Sequence, residues 1–192
     1  MPHPLHQSEF KYNPITRFFS APRDTPRPWH GVEVAVAHEI DDPVTHTGGW
    51  DLQLDSTEIP PEHPLNPFIS SFYHFQHGEI RGAIVRDRTD TRGRFRIRRE
   101  QHEKMLHRAE HTPPEYHDRY YLAVYDRVQP CLWELLDYVA ITAPELHEIR
   151  DNWTWSDTGR YEVSQVTWSQ IPGLDPLKIE ADHDGYWTLD DF

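Results

Sequence analysis

Regular spacing of hydrophobic residues predicts strands in the first half of the chain. In residues 50–55 every second residue is apolar and the residues between them are polar, which is the period of a half-buried strand. Residues 32–37 place their valines on one face and predict another strand. A long strand is predicted at 72–86, with a break near Gly78 as an alternative, and a short one at 94–98.

Helical spacing dominates the next part of the chain. Residues 99–110 and 131–140 each carry apolar residues three or four positions apart, which predicts two helices with one apolar face. Cys131 falls on the apolar side of the second, so we expect a buried thiol. Thr142 and Glu145 fit a capping box, which predicts a third, short helix.

The order of these elements predicts a mixed α/β fold, with a mixed sheet flanked by helices in a single domain. Residues 120–125 are apolar without alternation, which indicates a strand buried on both faces, and 160–168 predicts a last strand. We place a proline-rich, extended N-terminal arm at 1–30, the α/β domain at 31–180 and an acidic C-terminal tail at 181–192.

Composition narrows the class of protein. The 192 residues carry 19 basic and 32 acidic side chains, a formal charge of -13, and aromatic residues make up 12% of the chain. That aromatic content can build a hydrophobic core and excludes a wholly disordered chain. No apolar run reaches the ~18 residues of a membrane span, and the first residues lack the pattern of a secretory signal. With one cysteine, we expect a soluble, cytoplasmic protein without a disulfide or a membrane partner.

The basic residues are almost all arginine, which outnumbers lysine sixteen to three. An acidic surface with little lysine keeps a protein hydrated when salt is high, so this balance predicts a halophilic, archaeal source. A GC-rich genome that encodes arginine in place of lysine is the alternative.

Positive charge is concentrated in one segment. Residues 78–108 contain ten basic and five acidic side chains, a charge of +5 within an otherwise acidic chain. Such a basic segment is the electrostatic footprint of a nucleic-acid partner. A solvated hairpin whose arginines pair with acidic residues of the fold is the alternative. The candidate nucleic-acid-binding residues are Arg86, Arg88, Arg92, Arg94, Arg96, Arg98 and Arg99.

Glu79 and Arg81 carry the candidate chemistry. Residues two apart on a strand share a face, so this carboxylate and this cation project together. A metal-dependent phosphodiesterase needs a carboxylate to hold Mg²⁺ and a cation beside it to stabilise charge on phosphorus. Gln101, near the start of the helix that follows, can approach the same place. An ion pair on a solvent-facing strand is the competing interpretation.

Three stretches in this order resemble a known family. They are GEIRGAIV at 78–85, GRFRIRREQHEKML at 93–106 and YYLAVYD at 120–126. The arrangement is similar to the PD-(D/E)XK nucleases, the superfamily of restriction endonucleases and Holliday-junction resolvases, and to small haloarchaeal proteins of that type. The resemblance covers about 78–126, with weaker cover from 50, and implies a restriction-endonuclease-like core.

The resemblance also implies roles for particular residues. Metal ligands would be Glu79 and an aspartate from the preceding strand, with Asp51 as first choice and Asp55 as the alternative. Glu33 would be an additional carboxylate from an early element. Catalytic residues would be Asp51, Glu79, Arg81, Gln101 and Lys104.

One departure from the family pattern affects the chemistry. The usual lysine is Arg81 here, and arginine can hold a phosphate or a water but cannot act as a base near neutral pH. Lys104, on the adjoining helix, is the candidate to supply the missing ammonium group.

The expected cofactor is Mg²⁺ or Mn²⁺. We expect no structural zinc, because the pairs His74/His77 and His3/His6 lack a cysteine cluster or a second pair at a fitting distance. No organic cofactor is predicted. The tryptophans at 153, 155 and 168 are expected in the core or in a lid rather than in a base-stacking surface.

Three classes of function follow. The first is a metal-dependent DNA endonuclease of restriction, repair or mobile-element type, with DNA favoured over RNA and a homodimer common in the superfamily. The second is a catalytically inactive relative that binds nucleic acid through the arginine segment. The third is a structural or assembly protein of a virus or plasmid.

Overall fold

The computed structural model describes residues 10–20, 29–41, 50–54, 76–85 and 93–179, which form two β-sheets and several helices. The larger sheet has six strands, which are β1 (Lys11–Asn13), β2 (Phe18–Ser20), β3 (Leu52–Leu54), β4 (Gln76–Ile84), β6 (Arg119–Gln129) and β7 (Leu132–Thr142). Their spatial order is β1-β2-β7-β6-β4-β3. The smaller sheet contains β5 (Arg94–Arg98), β8 (Thr154–Trp155) and β9 (Glu162–Thr167), in the order β5-β9-β8.

Strands β4 and β6 pair in parallel, and the other neighbouring strands of the larger sheet are antiparallel. In this register Glu79 lies opposite Tyr120 and Arg81 opposite Leu122. The smaller sheet is antiparallel throughout. The larger sheet is therefore mixed, and with its helices it confirms the predicted mixed α/β class.

Helices α1 (Trp29–Glu39), α2 (Arg99–Ala109) and α3 (Ala143–Ile149) pack against the sheets, and residues 176–179 are also helical. The larger sheet buries apolar side chains on both faces. Helix α1 contributes to the core on one face, together with Ile80 of β4. Helices α2 and α3 and the smaller sheet contribute to the core on the other face, together with Ala83 of β4. Glu79 and Arg81 alternate with Ile80 along β4 and lie on the α2 side.

Gly82 allows α1 to pack closely on β4. A Cβ atom at this position would lie 3.3 Å from Cγ1 of Val32 and 3.0 Å from Cε1 of Tyr125. A larger residue at position 82 would therefore require Val32 and Tyr125 to shift.

The strand predicted at residues 32–37 is wrong, because these residues lie within α1. Val32, Ala35 and Val36 are buried, and this three-and-four spacing is that of a helix packed on a sheet. The alternation of valines is also compatible with a strand, and packing over β4 decides between the two.

The helix predicted at residues 131–140 is also wrong, because these residues lie in the turn before β7 and in β7 itself. A register shift in the pairing of β6 with β7 leaves Leu136 between the pairs Val124–Asp137 and Tyr125–Leu135. This bulge buries the adjacent residues Leu135 and Leu136 together, which imitates helical spacing in the sequence. Cys131 lies in the turn at a φ of 66° and is only half-buried.

Part of the predicted N-terminal arm is packed rather than extended from the domain. Residues 10–20 contain β1 and β2, which join the larger sheet through β7, and Phe10 and Phe19 are buried in the core beneath α1. The boundary at residue 30 and the tail from 181 stay predictions, since 1–9, 21–28 and 180–192 lie outside the described residues.

Several other elements were predicted correctly. The described part of the strand at 72–86 is β4, which continues through Gly78 without a break. The remaining agreements are the strands at 50–55, 94–98, 120–125 and 160–168, the helix at 99–110 and the capping box of Thr142 with Glu145. Among the helices that the structure describes, none has the length and apolar character needed to cross a membrane.

Candidate active site

Asp51 and Glu79 are brought together by the pairing of β3 with β4. Leu52 pairs with Gly78 in this antiparallel register, so the residue before Leu52 lies beside Glu79. Oδ2 of Asp51 accepts a 2.8 Å hydrogen bond from the backbone N–H of Ile80, which fixes its carboxylate against β4. Asp51, the first choice from the sequence, thus lies next to Glu79. The alternative, Asp55, lies outside the described residues.

Arg81 contacts both carboxylates. Its Nη2 lies 2.6 Å from Oε2 of Glu79, and its Nη1 donates to Oδ2 of Asp51 at 3.3 Å. Nη1 also donates to the backbone carbonyl of Ile80 at 2.8 Å. One guanidinium therefore bridges three oxygen atoms, and we call this set (Asp51 Oδ2, Glu79 Oε2 and Ile80 O) the three-oxygen site.

Gln101 completes the contacts of Glu79. Its Nε2 donates a 2.9 Å hydrogen bond to Oε1, the carboxylate oxygen that Arg81 leaves unused. Gln101 lies in the first turn of α2, which starts directly after β5. The structure thereby joins Asp51, Glu79, Arg81 and Gln101 in one constellation.

Burial and neighbouring charges perturb the ionisation of this group. Glu79 is buried, and burial, together with the charges of Asp51 and Glu33, raises its pKa to about 7 although Arg81 acts in the opposite direction. Burial would lower the pKa of Arg81, but Glu79 and Asp51 raise it above its usual value. Arg81 therefore stays positively charged. Its ion pair with Glu79, considered above as solvent-facing, joins a buried carboxylate to a partly buried guanidinium.

Glu33 acts on the site from helix α1. Its side chain is mostly buried and lies 2.9 Å from Nδ1 of His30, which occupies the preceding turn of the helix. Its charge contributes to the raised pKa of Glu79. Helix α1 thus brings a third carboxylate into electrostatic range, although the segment was predicted as a strand.

Lys104 lies beside Trp50, the residue that precedes Asp51. Its ammonium nitrogen is 4.5 Å from the centroid of the Trp50 ring, a cation–π contact. His77 stacks on the same indole, with ring centroids 4.7 Å apart. Lys104 is therefore near the aspartate's backbone, and it lies one helical turn beyond Gln101 on α2.

A buried ion pair behind the site was missed by the sequence interpretation. Nε of Arg108 lies 2.5 Å from Oδ2 of Asp118, and Nη2 lies 3.2 Å from Oδ1. Oδ1 also accepts a 2.9 Å hydrogen bond from the backbone N–H of His77. Burial would raise the pKa of Asp118, but the hydrogen bonds from His77 and Arg108 hold it below its usual value. The available signal was an aspartate two residues before the apolar run at 120–125.

Comparison with family models identifies residues 72–172 as a PD-(D/E)XK nuclease superfamily domain. The chain belongs to the PD-(D/E)XK nuclease superfamily. The match confirms the resemblance inferred from 78–126 and extends it through β7, α3 and β9. No curated protein and no solved structure gives a match. Asp51 precedes the matched segment, and the β3–β4 pairing brings it to the site.

The three-oxygen site fits the divalent ion that PD-(D/E)XK nucleases usually use. Mg²⁺ and Mn²⁺ prefer carboxylate and carbonyl oxygens, and Asp51, Glu79 and Ile80 offer these ligand types within reach of one cation. Asp51 and Glu79 are the residues that would hold the ion by charge.

A different group of potential ligands lies at the other end of α2. Atoms of His107, Glu110 and His111 lie within 4.8 Å of one another, and all three side chains are exposed. This donor set favours a borderline metal such as zinc over Mg²⁺. His74 lies outside the described residues, so the predicted exclusion of a zinc site through His74 and His77 stays a prediction.

Four of the candidate nucleic-acid-binding arginines lie within the described residues. Arg94, Arg96 and Arg98 project from one face of β5 and are exposed, and Phe95 and Ile97 between them are buried. Arg96 also lies 3.6 Å from the exposed carboxylate of Asp157, and Arg99 pairs with acidic side chains of α2 and β9. Arg86, Arg88 and Arg92 lie outside the described residues.

The tryptophans near the C-terminal end of the domain occupy different environments. Trp168 is buried and donates from Nε1 to the carbonyl of Val85 at 3.2 Å, as predicted for a core residue. Trp153 is partly buried against the same core. Trp155 is 67% exposed and is not part of the core, and its place in a lid stays a prediction.

Proposed function

We propose that this protein is a metal-dependent nuclease that hydrolyses phosphodiester bonds of DNA, with Mg²⁺ or Mn²⁺ as its cofactor. The observation that supports it best is the constellation of Asp51, Glu79, Arg81 and Gln101 on two adjacent strands and one helix. An ion pair with a purely structural role would need only Glu79 and Arg81. It would need neither the second carboxylate, that of Asp51, nor the amide of Gln101 that donates to Glu79.

Each residue has a distinct proposed role. Asp51 and Glu79, with Asp55 as a further candidate, hold the ion, and Gln101 orients Glu79 through Oε1. When bound, the ion would activate water and polarise the phosphate. Arg81 and Lys104 stabilise negative charge on the phosphate. Arg81 does not accept the proton of the attacking water, because a guanidinium stays charged near neutral pH.

The exposed arginines of β5 are the proposed contact to the nucleic-acid backbone. Arg94, Arg96 and Arg98 point from one strand face in a row, which suits a run of phosphates. We include Arg86, Arg88, Arg92 and Arg99 in this surface on the strength of the basic segment. DNA is proposed over RNA, and a homodimer is proposed, from the resemblance to restriction endonucleases and junction resolvases.

A catalytically inactive, nucleic-acid-binding relative is the second candidate. The observation that favours it is the engagement of both carboxylates by Arg81 in place of the usual lysine. An assembly protein of a virus or plasmid would need neither the carboxylates nor the arginine surface. Function in restriction, repair or mobile-element biology belongs to the first candidate.

Cleavage of plasmid and branched DNA at high KCl, with Mg²⁺ or Mn²⁺, tests the proposal. The comparison is between the wild type, Glu79→Gln and the control Glu148→Gln, which changes an exposed glutamate of α3. We expect metal-dependent cutting by the wild type and the control, and at least a hundredfold slower cutting by Glu79→Gln. Salt-dependent DNA binding without cutting by any of the three would support the inactive relative instead.

A further inference from the structure

Arg81 occupies the place where a divalent ion would bind. We infer that its guanidinium is the resident cation of the three-oxygen site, so that a divalent ion binds only when Arg81 leaves. This inference rests on the proposed function and concerns what controls entry of the metal.

The contacts of Arg81 carry the argument. Its two Nη atoms contact one carboxylate oxygen of Asp51, one of Glu79, and the backbone carbonyl oxygen of Ile80. A divalent ion would need the same oxygens at about 2.0–2.1 Å for Mg²⁺. The guanidinium and the ion would then share ligands at contact distance with positive charge on both, so they exclude each other.

Arginine is suited to this role in a way that lysine is not. Its planar fork bonds two carboxylates at once, whereas an ammonium group is a single point charge on a flexible stem. Arginine also cannot leave by losing its proton. In the metal-free site, one positive charge therefore lies between the two carboxylates of Asp51 and Glu79 and offsets part of their negative charge.

The displaced side chain has a route to a phosphate. The side chain of Arg81 is 25% exposed, while that of Glu79 is 4% exposed, so the guanidinium is at the open side of the site. A phosphate at this opening offers Arg81 a new bidentate partner. DNA would then lower the cost of moving Arg81, and bound DNA would raise the affinity for the metal; by linkage the metal would raise the affinity for DNA to the same extent.

Mn²⁺ binding to the full chain tests the inference by calorimetry, independently of cleavage. All proteins carry His107→Ala, which disrupts the exposed group of His107, Glu110 and His111 and removes its competition for metal. The substitution Arg81→Lys keeps a positive charge but loses the fork. We expect Arg81→Lys to bind Mn²⁺ at least tenfold more tightly than the arginine protein, and Glu79→Gln added to it to abolish that binding.

The outcomes separate this inference from the proposed function. Equal Mn²⁺ affinity of the two proteins would overturn the displacement of Arg81 but leave a metal-dependent nuclease intact. Absence of binding in both, with and without a phosphorothioate DNA duplex, would overturn the proposed metal dependence as well. We expect the duplex to raise the affinity of the arginine protein by a larger factor than that of Arg81→Lys, and equal factors would contradict the coupling.

A second test uses the wild-type chain, so its result does not depend on whether a variant folds. The ¹⁵N resonance of the Arg81 Nε–H group, followed by NMR during Mg²⁺ titration, should shift in step with metal binding. Saturation with Mg²⁺ that leaves this resonance unchanged would overturn the inference.

Discussion

Gln101 donates a 2.9 Å hydrogen bond to Oε1 of Glu79, while Arg81 pairs with Oε2 of the same carboxylate. Both oxygens are therefore oriented by neighbours from different elements, helix α2 and strand β4. The orientation of Glu79 thus depends on how α2 is docked against the sheet.

Replacing Gln101 should weaken the site without unfolding the protein. In Gln101→Ala the carboxylate of Glu79 loses the donor at Oε1, so we expect a 10- to 100-fold drop in cleavage rate, the range typical for partners of metal ligands. The same loss should appear in Mn²⁺ affinity measured by calorimetry. Glu100→Ala, an exposed neighbour in the same turn, is the control and should retain the wild-type values. A wild-type rate in Gln101→Ala would show that this hydrogen bond has no part in activity.

The constellation could be predicted because its parts are local in sequence. Glu79 and Arg81 are two apart on a strand, and Gln101 lies at the start of the next predicted helix. The choice between Asp51 and Asp55 stayed open, because the pairing register of β3 with β4 is set across an intervening segment of more than twenty residues.

Other parts depend on long-range packing and could not be predicted. Residues 32–37 suit a strand by residue type, and the helix is favoured by packing of Val32, Ala35 and Val36 in a core shared with strands of the larger sheet. The bulge at Leu136 can be recognised only against the register of β6. The ion pair of Arg108 with Asp118 joins residues whose proximity follows from the docking of α2 beside the start of β6.

Breaking that buried ion pair should destabilise the whole domain. Arg108→Met would leave Asp118 buried without its cation, and such a change costs about 3–5 kcal/mol in the free energy of unfolding. Urea denaturation followed by circular dichroism measures it. Arg99→Met removes an exposed arginine of the same helix and should change stability little, because solvent screens its pairs. Equal loss in both variants would mean that the buried pair has no special role.

His102 predicts a pH dependence of stability. It is fully buried in α2, with Nδ1 3.1 Å from the Tyr120 hydroxyl and Nε2 3.2 Å from Nδ1 of His147. Burial, with the nearby charges of His147 and Arg150, lowers its pKa to about 4, while Glu103 acts in the opposite direction. The folded state therefore holds His102 neutral where the unfolded chain already binds a proton.

The sign follows from this difference. Between the folded pKa of about 4 and the usual value of 6.5, the unfolded state binds more protons than the folded state. The contribution of neutral His102 to the free energy of unfolding is therefore complete above pH 6.5 and is lost as the pH falls towards 4. Between pH 7 and 5 the loss should be about 2 kcal/mol. The wild type and His102→Gln are compared by urea denaturation at several pH values, so that contributions of other groups cancel. Parallel stability curves for the two proteins would contradict the buried neutral histidine.

Removing the arginine row of β5 should weaken DNA binding by reducing the electrostatic contribution to the binding free energy. Arg94, Arg96 and Arg98 are exposed on one strand face, and each phosphate contact adds about 0.9 to the slope of log K against log salt. The triple alanine variant should therefore lose about 2 to 3 units of slope, with weaker binding of all DNA sequences alike. Fluorescence anisotropy with a labelled duplex over a range of KCl concentrations gives both quantities. The matched control changes three exposed cations away from β5 to alanine: Lys11 of β1, Arg127 of β6 and Lys178, which pairs with Asp137 of β7. If this control reduced the slope as much as the triple variant, attraction would come from overall charge, and β5 would not be the binding face.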